Sequence, residues 1–140
     1  MKVMLDKHAK LPTRAYKFDG GLDLYAKEND SYIIPPYGGS VTIDTGIHLA
    51  IPNHFVGLVK SKSGLMVNKR LLTDGVVDST YSGSIRVTLF NFGEFSYTVE
   101  PGSKIAQLVI VPVCLPPLEL CDEMEMTDRG ENGFGSSGLF

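Results

Sequence analysis

The chain has 140 residues, a length typical of a single domain. Hydrophobic residues make up 43% and charged residues 21%, a globular composition that excludes a disordered chain. The formal net charge is −3, so no positive field is available to hold nucleic acid non-specifically, and we expect no nucleic-acid partner.

Neither end of the chain predicts a membrane segment. Residues 1–12 are too polar for the apolar core of a signal peptide. The longest apolar run, Leu108–Leu115, contains Pro112 and is far shorter than the ~20 residues that span a bilayer. We therefore expect no membrane contact and a location in the cytoplasm of a cell or of a host cell. Cys114 and Cys121 lack metal-binding spacing and are expected to be reduced.

Short apolar runs bounded by Gly, Pro, Asn and Asp recur along the chain, which is typical of all-β proteins. The first predicted strands are Leu22–Ala26 and Tyr32–Ile34. The next, Val41–Ile51, alternates apolar and polar residues, with Gly46 as a candidate bulge. Phe55–Lys60 predicts another strand, and residues 63–70 are the best place for a short helix.

The second half continues the β pattern. Two predicted strands, Gly75–Asp78 and Ser84–Asn91, flank residues 79–83, whose composition predicts a hairpin. Tyr97–Val99 and Ile105–Val113 follow. A closed barrel or a double-sheet jelly roll buries roughly nine such short strands, and we predict that domain over residues 1–115.

The carboxyl-terminal residues differ in kind. Residues 116–128 predict an acidic connector, and residues 129–140 predict a flexible glycine-rich segment. That segment is either a frayed terminus or a lid that orders on a ligand. Its contents favour the lid, because Arg129 offers planar donors for phosphate and Phe134 can stack on a base.

Four other segments carry side chains suited to a ligand. Asp23 lies in an apolar strand and could also cap a turn. Lys60–Leu65 joins cations, hydroxyls and a glycine, which suits phosphate or a solvated loop. Asp78, three residues before Tyr81, could deprotonate a water or cap the turn, and Tyr81 could be a core residue. A buried Gln107 would need hydrogen-bond partners, because leaving it unpaired costs ~1–3 kcal/mol.

Together, five segments resemble the motifs of the trimeric deoxyuridine triphosphate nucleotidohydrolase (dUTPase) family. They are Gly21–Leu24, Lys62–Leu65, Gly75–Gly83, Gly102–Leu108 and Arg129–Gly138. The resemblance implies a jelly-roll-like distorted β-barrel that forms a homotrimer with interdigitated C-terminal arms. It also implies hydrolysis of dUTP to dUMP and pyrophosphate with Mg²⁺, at sites shared between subunits. That reaction keeps uracil out of DNA and supplies dUMP for thymidylate synthesis.

The resemblance implies roles for particular residues. Asp78 would be the general base for the attacking water, and Tyr81 would stack under the deoxyribose and exclude a 2′-hydroxyl. The uracil edge would pair with the backbone of the predicted hairpin, through Gly75, Val77 and Arg86.

Phosphate binding is implied for residues from more than one subunit. Lys62, Ser63, Gly64 and Gln107 would contact the phosphates, and Asp23 would act through waters near the metal. In the tail, Arg129 would hold the γ-phosphate and Phe134 would stack on uracil. The remaining tail contacts would come from Gly135, Ser136 and Ser137. Magnesium would arrive with the substrate phosphates, with no direct protein ligand.

Three positions depart from the family pattern. Lys62 stands where the family usually has Arg, so the charge is kept and the bidentate fork is lost. Ser103-Lys104 stands where Asp-Arg is common, which removes an expected ion pair near the trimer contact. Thr80 replaces a frequent second acid beside Asp78.

Two other functions remain open from the sequence. One is dCTP deaminase, a related enzyme that needs a Glu in the strand 84–91, where this chain has none. The other is a nucleotide-binding regulatory protein of the same fold, against which Asp78 and Arg129 argue. A regulatory protein partner alongside catalysis is also open, because surface loops such as residues 68–74 have no recognisable motif.

Overall fold

The computed structural model of the chain describes residues 1–134 and residue 136. Within these residues the chain forms strands and one short helix. In chain order they are β1 (Val3–Leu5), β2 (Gly21–Tyr25), β3 (Tyr32–Ile34), β4 (Gly39–Asp44), β5 (Ile47–Leu49), β6 (Phe55–Lys60), α1 (Ser63–Lys69), β7 (Leu71–Leu72), β8 (Asp74–Val77), β9 (Arg86–Asn91), β10 (Tyr97–Val99) and β11 (Lys104–Pro112).

The strands form small antiparallel sheets around one apolar core. The largest sheet has the order β2-β11-β6-β8, and a second has the order β4-β9-β7. Two further pairs, β1-β5 and β10-β3, complete the described strands. Every strand except β1 contributes residues to this core, among them Leu24, Ile34, Ile43, Ile47, Val59, Leu89, Val99 and Leu108. The predicted all-β, jelly-roll-like fold is confirmed.

The strand predicted over residues 41–51 is two strands. β4 ends at Asp44 and β5 begins at Ile47, because Gly46 adopts a φ of +67°, a conformation that favours glycine. The alternation nevertheless continues across the break, since Ile43, Thr45 and Ile47 are all buried. The apolar pattern therefore predicted the buried face correctly and missed the interruption.

The hairpin predicted across residues 79–83 is wrong as a strand pairing. β8 pairs with β6, whereas β9 pairs with β4 and β7 in another sheet. Residues 78–85 therefore cross from one sheet to the other and form the crossing loop. Val77 and Val87, near its two ends, are both buried in the common core. Turn composition alone does not distinguish a hairpin from such a crossing.

Two short strands had no clear signal in the sequence. All three residues of β1 are exposed, so β1 lacks the buried face that an alternating pattern detects. β7 has only two residues, although Leu71 is 1% exposed and belongs to the core. The predicted helix is confirmed as α1, and it ends where Arg70 adopts a left-handed φ of 55°.

The chain beyond β11 forms no strand or helix among the residues described, which continue to residue 134 and include residue 136. Cys114 and Cys121 are both exposed and free, as expected. No helix within the described part of the chain has the length and apolar character needed to cross a membrane.

Candidate functional site

Asp23 holds two lysine ammonium groups side by side. Its side chain is only 8% exposed; Lys62 Nζ lies 2.5 Å from Oδ1 and Lys104 Nζ lies 2.7 Å from Oδ2. Desolvation acts to raise the pKa of Asp23, but the hydrogen bonds from Lys104 and Lys62 outweigh it and lower that pKa. Asp23 is therefore ionised, and it fixes two cations near the end of β6. The alternative role for Asp23 is to cap a turn. Among the described residues, its carboxylate accepts no hydrogen bond from a turn.

Gln107 lies in the same sheet, in register between Asp23 on β2 and Lys60 on β6. Its Nε2 donates a hydrogen bond to the Ser61 carbonyl at 3.1 Å. A Cβ added at Gly21 would lie 2.5 Å from Gln107 Oε1, so a side chain at this position would displace the amide. The chain itself therefore supplies one of the hydrogen-bond partners that the Gln107 amide needs.

Residues 61 and 62 connect β6 to α1 beside these groups, and Ser63 and Gly64 begin α1. The Ser61 hydroxyl accepts a hydrogen bond from the Thr73 N–H at 2.8 Å and donates one to the Thr73 carbonyl at 2.9 Å, which fixes the loop. Ser63 and Gly64 are exposed, and nothing lies within 4 Å of a Cβ added at Gly64. The loop and the first turn of α1 thus leave backbone groups exposed next to the Lys62 ammonium group, an arrangement that suits a phosphate.

Asp78 and Tyr81 stand on the crossing loop. The Tyr81 N–H donates to the Asp78 carbonyl at 3.0 Å, so a backbone bond closes the turn. Within the described residues, the Asp78 carboxylate has no side-chain hydrogen bond, so it does not cap the turn. Tyr81 is 45% exposed, which excludes a core role, and its hydroxyl donates to the Ser84 carbonyl at 2.9 Å. The acid and the phenol ring are both accessible to a ligand.

The segment between β4 and β5 anchors the far half of the crossing loop. Thr45 Oγ1 donates to the Ile85 carbonyl at 2.7 Å, and the Ile85 N–H donates to the Ile47 carbonyl at 2.8 Å. The Ser84 hydroxyl donates to the Asp44 carboxylate. The sequence predicts these residues as parts of the strands 41–51 and 84–91. Their supporting role carries no local signal, because the bonded partners lie 40 residues apart in the chain.

Asp44 is the charged centre of this anchor. Burial acts to raise its pKa, but hydrogen bonds from Ser84, from the Gly46 N–H and from Lys27 lower the pKa to about 2. The Lys27 ammonium group lies 3.0 Å from Asp44 Oδ2. Asp44 is therefore ionised at neutral pH and can accept all three hydrogen bonds. Arg86, expected to help recognise uracil, is the register partner of Asp44 on β9 and is exposed.

Within one copy of the chain, Asp78 lies apart from the lysine cluster, which consists of Asp23, Lys62 and Lys104. Lys60, two residues before Lys62, marks the near end of this cluster on β6. Lys60 lies opposite Asp74 at the start of β8, and Val77 lies opposite Gly57 at its end. At ~3.3 Å per residue, Asp78 is about 13 Å further along the strand direction than Asp74. Gly75 and Val77 lie on β8 between Asp74 and Asp78. The predicted phosphate residues and the predicted base therefore form two separate groups within the chain.

The described tail residues bond to one another. Arg129 Nε donates to the Asn132 carbonyl at 2.8 Å, and the Ser136 N–H donates to the Gly133 carbonyl at 3.3 Å. Phe134 is fully exposed. Gly135 and Ser137, also predicted to contact the substrate, lie outside the described residues.

The magnesium ion that the resemblance implies would need oxygen ligands at this site. Across residues 1–134 and 136, no three His, Cys, Asp or Glu side chains form a metal-ligand cluster. Both oxygens of Asp23 are already paired with ammonium groups. Direct ligation of a metal by Asp23 would therefore require a lysine to move, whereas a contact through water, the role predicted for Asp23, would not.

Residues 7–138 match the family model described as dUTPase. A deoxyuridine 5'-triphosphate nucleotidohydrolase of Syntrophotalea carbinolica is 38% identical over 138 residues, covering 96% of this chain and 93% of the relative. The enzyme of the same name from Citrobacter koseri is 41% identical over 133 residues, covering 91% of this chain and 86% of the relative.

Solved structures of phage proteins share the fold. The dUTPase of Staphylococcus bacteriophage 80alpha with dUpNHpp has a TM-score of 0.89 and 30% identity, over 99% of this chain and 98% of that one. A mutant dUTPase from phage phi11 of S. aureus, solved with a structural Mg(II) ion, has a TM-score of 0.80 and 27% identity. It aligns over 89% of this chain and 97% of that one. The match of the family to nearly the whole chain, together with these relatives, shows that the chain belongs to the dUTPase family.

Proposed function

We propose that this chain hydrolyses dUTP to dUMP and pyrophosphate, as the names of its relatives indicate for them. The observation that carries the proposal is the family match over residues 7–138, which includes both the lysine cluster and the crossing loop. The dUpNHpp bound by the phage 80alpha relative is a nucleotide of the same class.

In the proposed reaction, Asp78 orients a water molecule and accepts its proton. The water oxygen forms a bond to the α-phosphorus while the bond to the bridging oxygen breaks, and pyrophosphate leaves in line. The exposed carboxylate supports this role, because it is free of side-chain hydrogen bonds within the described chain. A carboxylate is a weak base, so positioning and charge neutralisation supply most of the acceleration.

The crossing loop is proposed to select the sugar and the base. Tyr81 would stack under the deoxyribose and leave no room for a 2′-hydroxyl. Backbone groups near Gly75, Val77 and Arg86 would pair with the uracil edge, and a fixed backbone pattern rejects cytosine. Anchoring of the loop by Asp44 and Thr45 supports this proposal, because a selective site needs groups that do not rearrange.

The lysine cluster is proposed to bind the phosphates of a nucleotide held by another subunit. Lys62 supplies charge, residues Ser63 and Gly64 supply open backbone, and Gln107 lies alongside. The roughly 13 Å offset along β8 supports a site shared between copies, and we therefore propose the homotrimer of the family. Magnesium bound to the phosphates would offset their charge, with Asp23 reaching it through water.

The tail is proposed to close over the nucleotide. Residues 116–128 would act as a connector that reaches a neighbouring subunit, and residues 129–140 would act as the lid beyond the barrel of residues 1–115. Arg129 would exchange its bond to Asn132 for the γ-phosphate, and the exposed Phe134 ring would cover uracil. The hydroxyls of Ser136 and Ser137 and the backbone at Gly135 would complete the closed site.

Pyrophosphate release with magnesium tests the proposal when dUTP, dCTP, UTP and dTTP are offered separately. We expect release from dUTP alone, with dUMP as the other product. Ammonia from dCTP without pyrophosphate would instead show deamination. Tight binding of dUTP without turnover would show a nucleotide-binding protein and would overturn the proposed reaction.

A further inference from the structure

His48 connects the crossing loop to the amino-terminal strand. It stands on β5, opposite Met4 of β1. Its Nδ1 lies 2.9 Å from the Ser82 carbonyl oxygen, and its Nε2 lies 3.3 Å from Asp6 Oδ1. Ser82 directly follows Tyr81, so the imidazole ring holds the backbone next to the residue proposed to contact the sugar.

Both partners of this imidazole are hydrogen-bond acceptors. A carbonyl oxygen and a carboxylate oxygen can each only accept, so both ring nitrogens must donate. Only the imidazolium form carries two N–H groups. A neutral ring could keep its bond to Ser82, but it would then turn a lone pair toward Asp6. The connection from Asp6, the residue after β1, through His48 to the loop is thus complete only when His48 is protonated.

The charged groups around His48 favour that form. The bond to the Ser82 carbonyl raises the pKa of His48, and Asp6 and Asp44 raise it further against the opposing effect of burial. Lys27 moderates this field, since its ammonium group lies 3.9 Å from Asp6 and 3.0 Å from Asp44. The remaining titratable groups beside the cleft between β1 and the loop are Lys2 and Tyr81.

We propose that His48 is a positioning residue for nucleotide binding, which ties the Tyr81 loop to Asp6 while protonated and loses this tie, and with it the fixed position of the loop, on losing its proton. The inference rests on the proposed function for its kinetic consequence, because Tyr81 must contact the sugar for loop position to affect binding. The connection of His48 to the loop does not depend on that function.

The first test follows the three histidines and the loop amides by NMR during a pH titration without nucleotide. We expect His48 to titrate above the usual histidine value of about 6.5. The amides of Ser82 and Gly83 should shift with the same midpoint, and Asp6→Asn should lower both midpoints together. The proposal would be overturned if the chemical shifts of the loop amides do not change at the His48 midpoint. It would also be overturned if Asp6→Asn leaves that midpoint unchanged.

The second test measures dUTP hydrolysis across the same pH range. The KM of the unmodified chain should rise severalfold through the His48 midpoint, and its preference for dUTP over UTP should fall. His48→Gln should show the high-pH KM at every pH, with little change in kcat. His54→Asn is the matched control, because His54 lies on the turn before β6, and it should keep the original profile.

The two tests separate the possible failures. Parallel pH profiles for the unmodified chain and His48→Gln would show that His48 does not position the site. A chain that hydrolyses no dUTP would contradict the proposed function, while the NMR titration would still decide whether His48 controls the loop.

Discussion

Asp23 and Lys104 form an ion pair of 2.7 Å between β2 and β11, and the same carboxylate binds Lys62 on its other oxygen. Two ammonium groups repel each other, so the buried carboxylate is what allows them to share one region. In the family pattern an acid precedes this cation, and here Ser103 stands in that place. Lys104 is instead neutralised by Asp23, which thereby also sets the position of the proposed phosphate-binding Lys62.

Asp23→Asn should weaken both the fold and nucleotide binding. Asparagine keeps the shape but cannot neutralise two cations, so we expect a loss of ~1.5–3 kcal/mol in the free energy of unfolding, as for a hydrogen bond to a charged group. KM for dUTP should rise because Lys62 is no longer held. Denaturant unfolding and steady-state kinetics measure the two effects.

Asp74→Asn provides the matched control for Asp23→Asn. Asp74 also pairs with a lysine, Lys60, but its side chain is 73% exposed. A surface pair contributes little, so this variant should stay close to the original chain in both measurements. Equal losses from the two substitutions would contradict the special position of Asp23.

Asp78→Asn should bind dUTP and fail to hydrolyse it. The substitution removes the proposed base and keeps the size of the side chain. Because Asp78 is exposed, we expect the fold to be unchanged. We expect kcat to fall by a factor of about 10² to 10⁴, the usual contribution of general base catalysis. Calorimetric titration with dUpNHpp should show nearly unchanged affinity. Retention of the full rate would remove Asp78 from the catalytic role.

Tyr81→Ala and Tyr81→Phe should separate the two contributions of this side chain. Alanine removes the ring, so UTP should become a substrate and the ratio of kcat/KM values for dUTP and UTP should fall. Phenylalanine keeps the ring and loses only the bond to the Ser84 carbonyl, so it should retain most of the selectivity. Unchanged selectivity in Tyr81→Ala would show that Tyr81 does not contact the sugar.

Acid should loosen the anchor of the crossing loop through Asp44. Because folding lowers the pKa of Asp44 to about 2 from 3.8, the folded state binds protons less readily than the unfolded state. The stabilisation is therefore complete above about pH 4 and is lost as the pH falls toward 2. Thermal unfolding between pH 5 and pH 2 measures this loss of stability. The lowered pKa of Asp23 adds a loss in the same direction.

Asp44→Asn is the variant that isolates the Asp44 contribution. It should unfold at a lower temperature at pH 5 and show a shallower dependence on pH below 4. The side chain of Asp44 is 40% exposed, so solvent screening limits the size of the effect. An identical pH dependence in the variant and the original chain would assign the acid sensitivity to other carboxylates.

The sequence predicted what depends on local patterns. The alternating pattern identified the buried face that contains Ile43 and Ile47, although these residues lie on two different strands. The motifs pointed to Asp78 and Tyr81, which the structure places on one exposed loop. Pairings between distant segments were not predictable, because neither His48 nor Ser82 carries a signal of the other 34 residues away. The strand partners of β8 and β9 escaped prediction for the same reason.

Removal of the residues after Asp128 should lower activity without unfolding the barrel. The described chain after Pro112 contributes no strand, and Phe134 buries nothing within the chain, so the unfolding temperature should stay the same. Phe134→Ala should reproduce part of the loss in kcat/KM, because it removes the proposed cover over uracil. Sedimentation of the shortened chain at the mass of a trimer would agree with a lid. Monomers would instead show that the tail holds the subunits together.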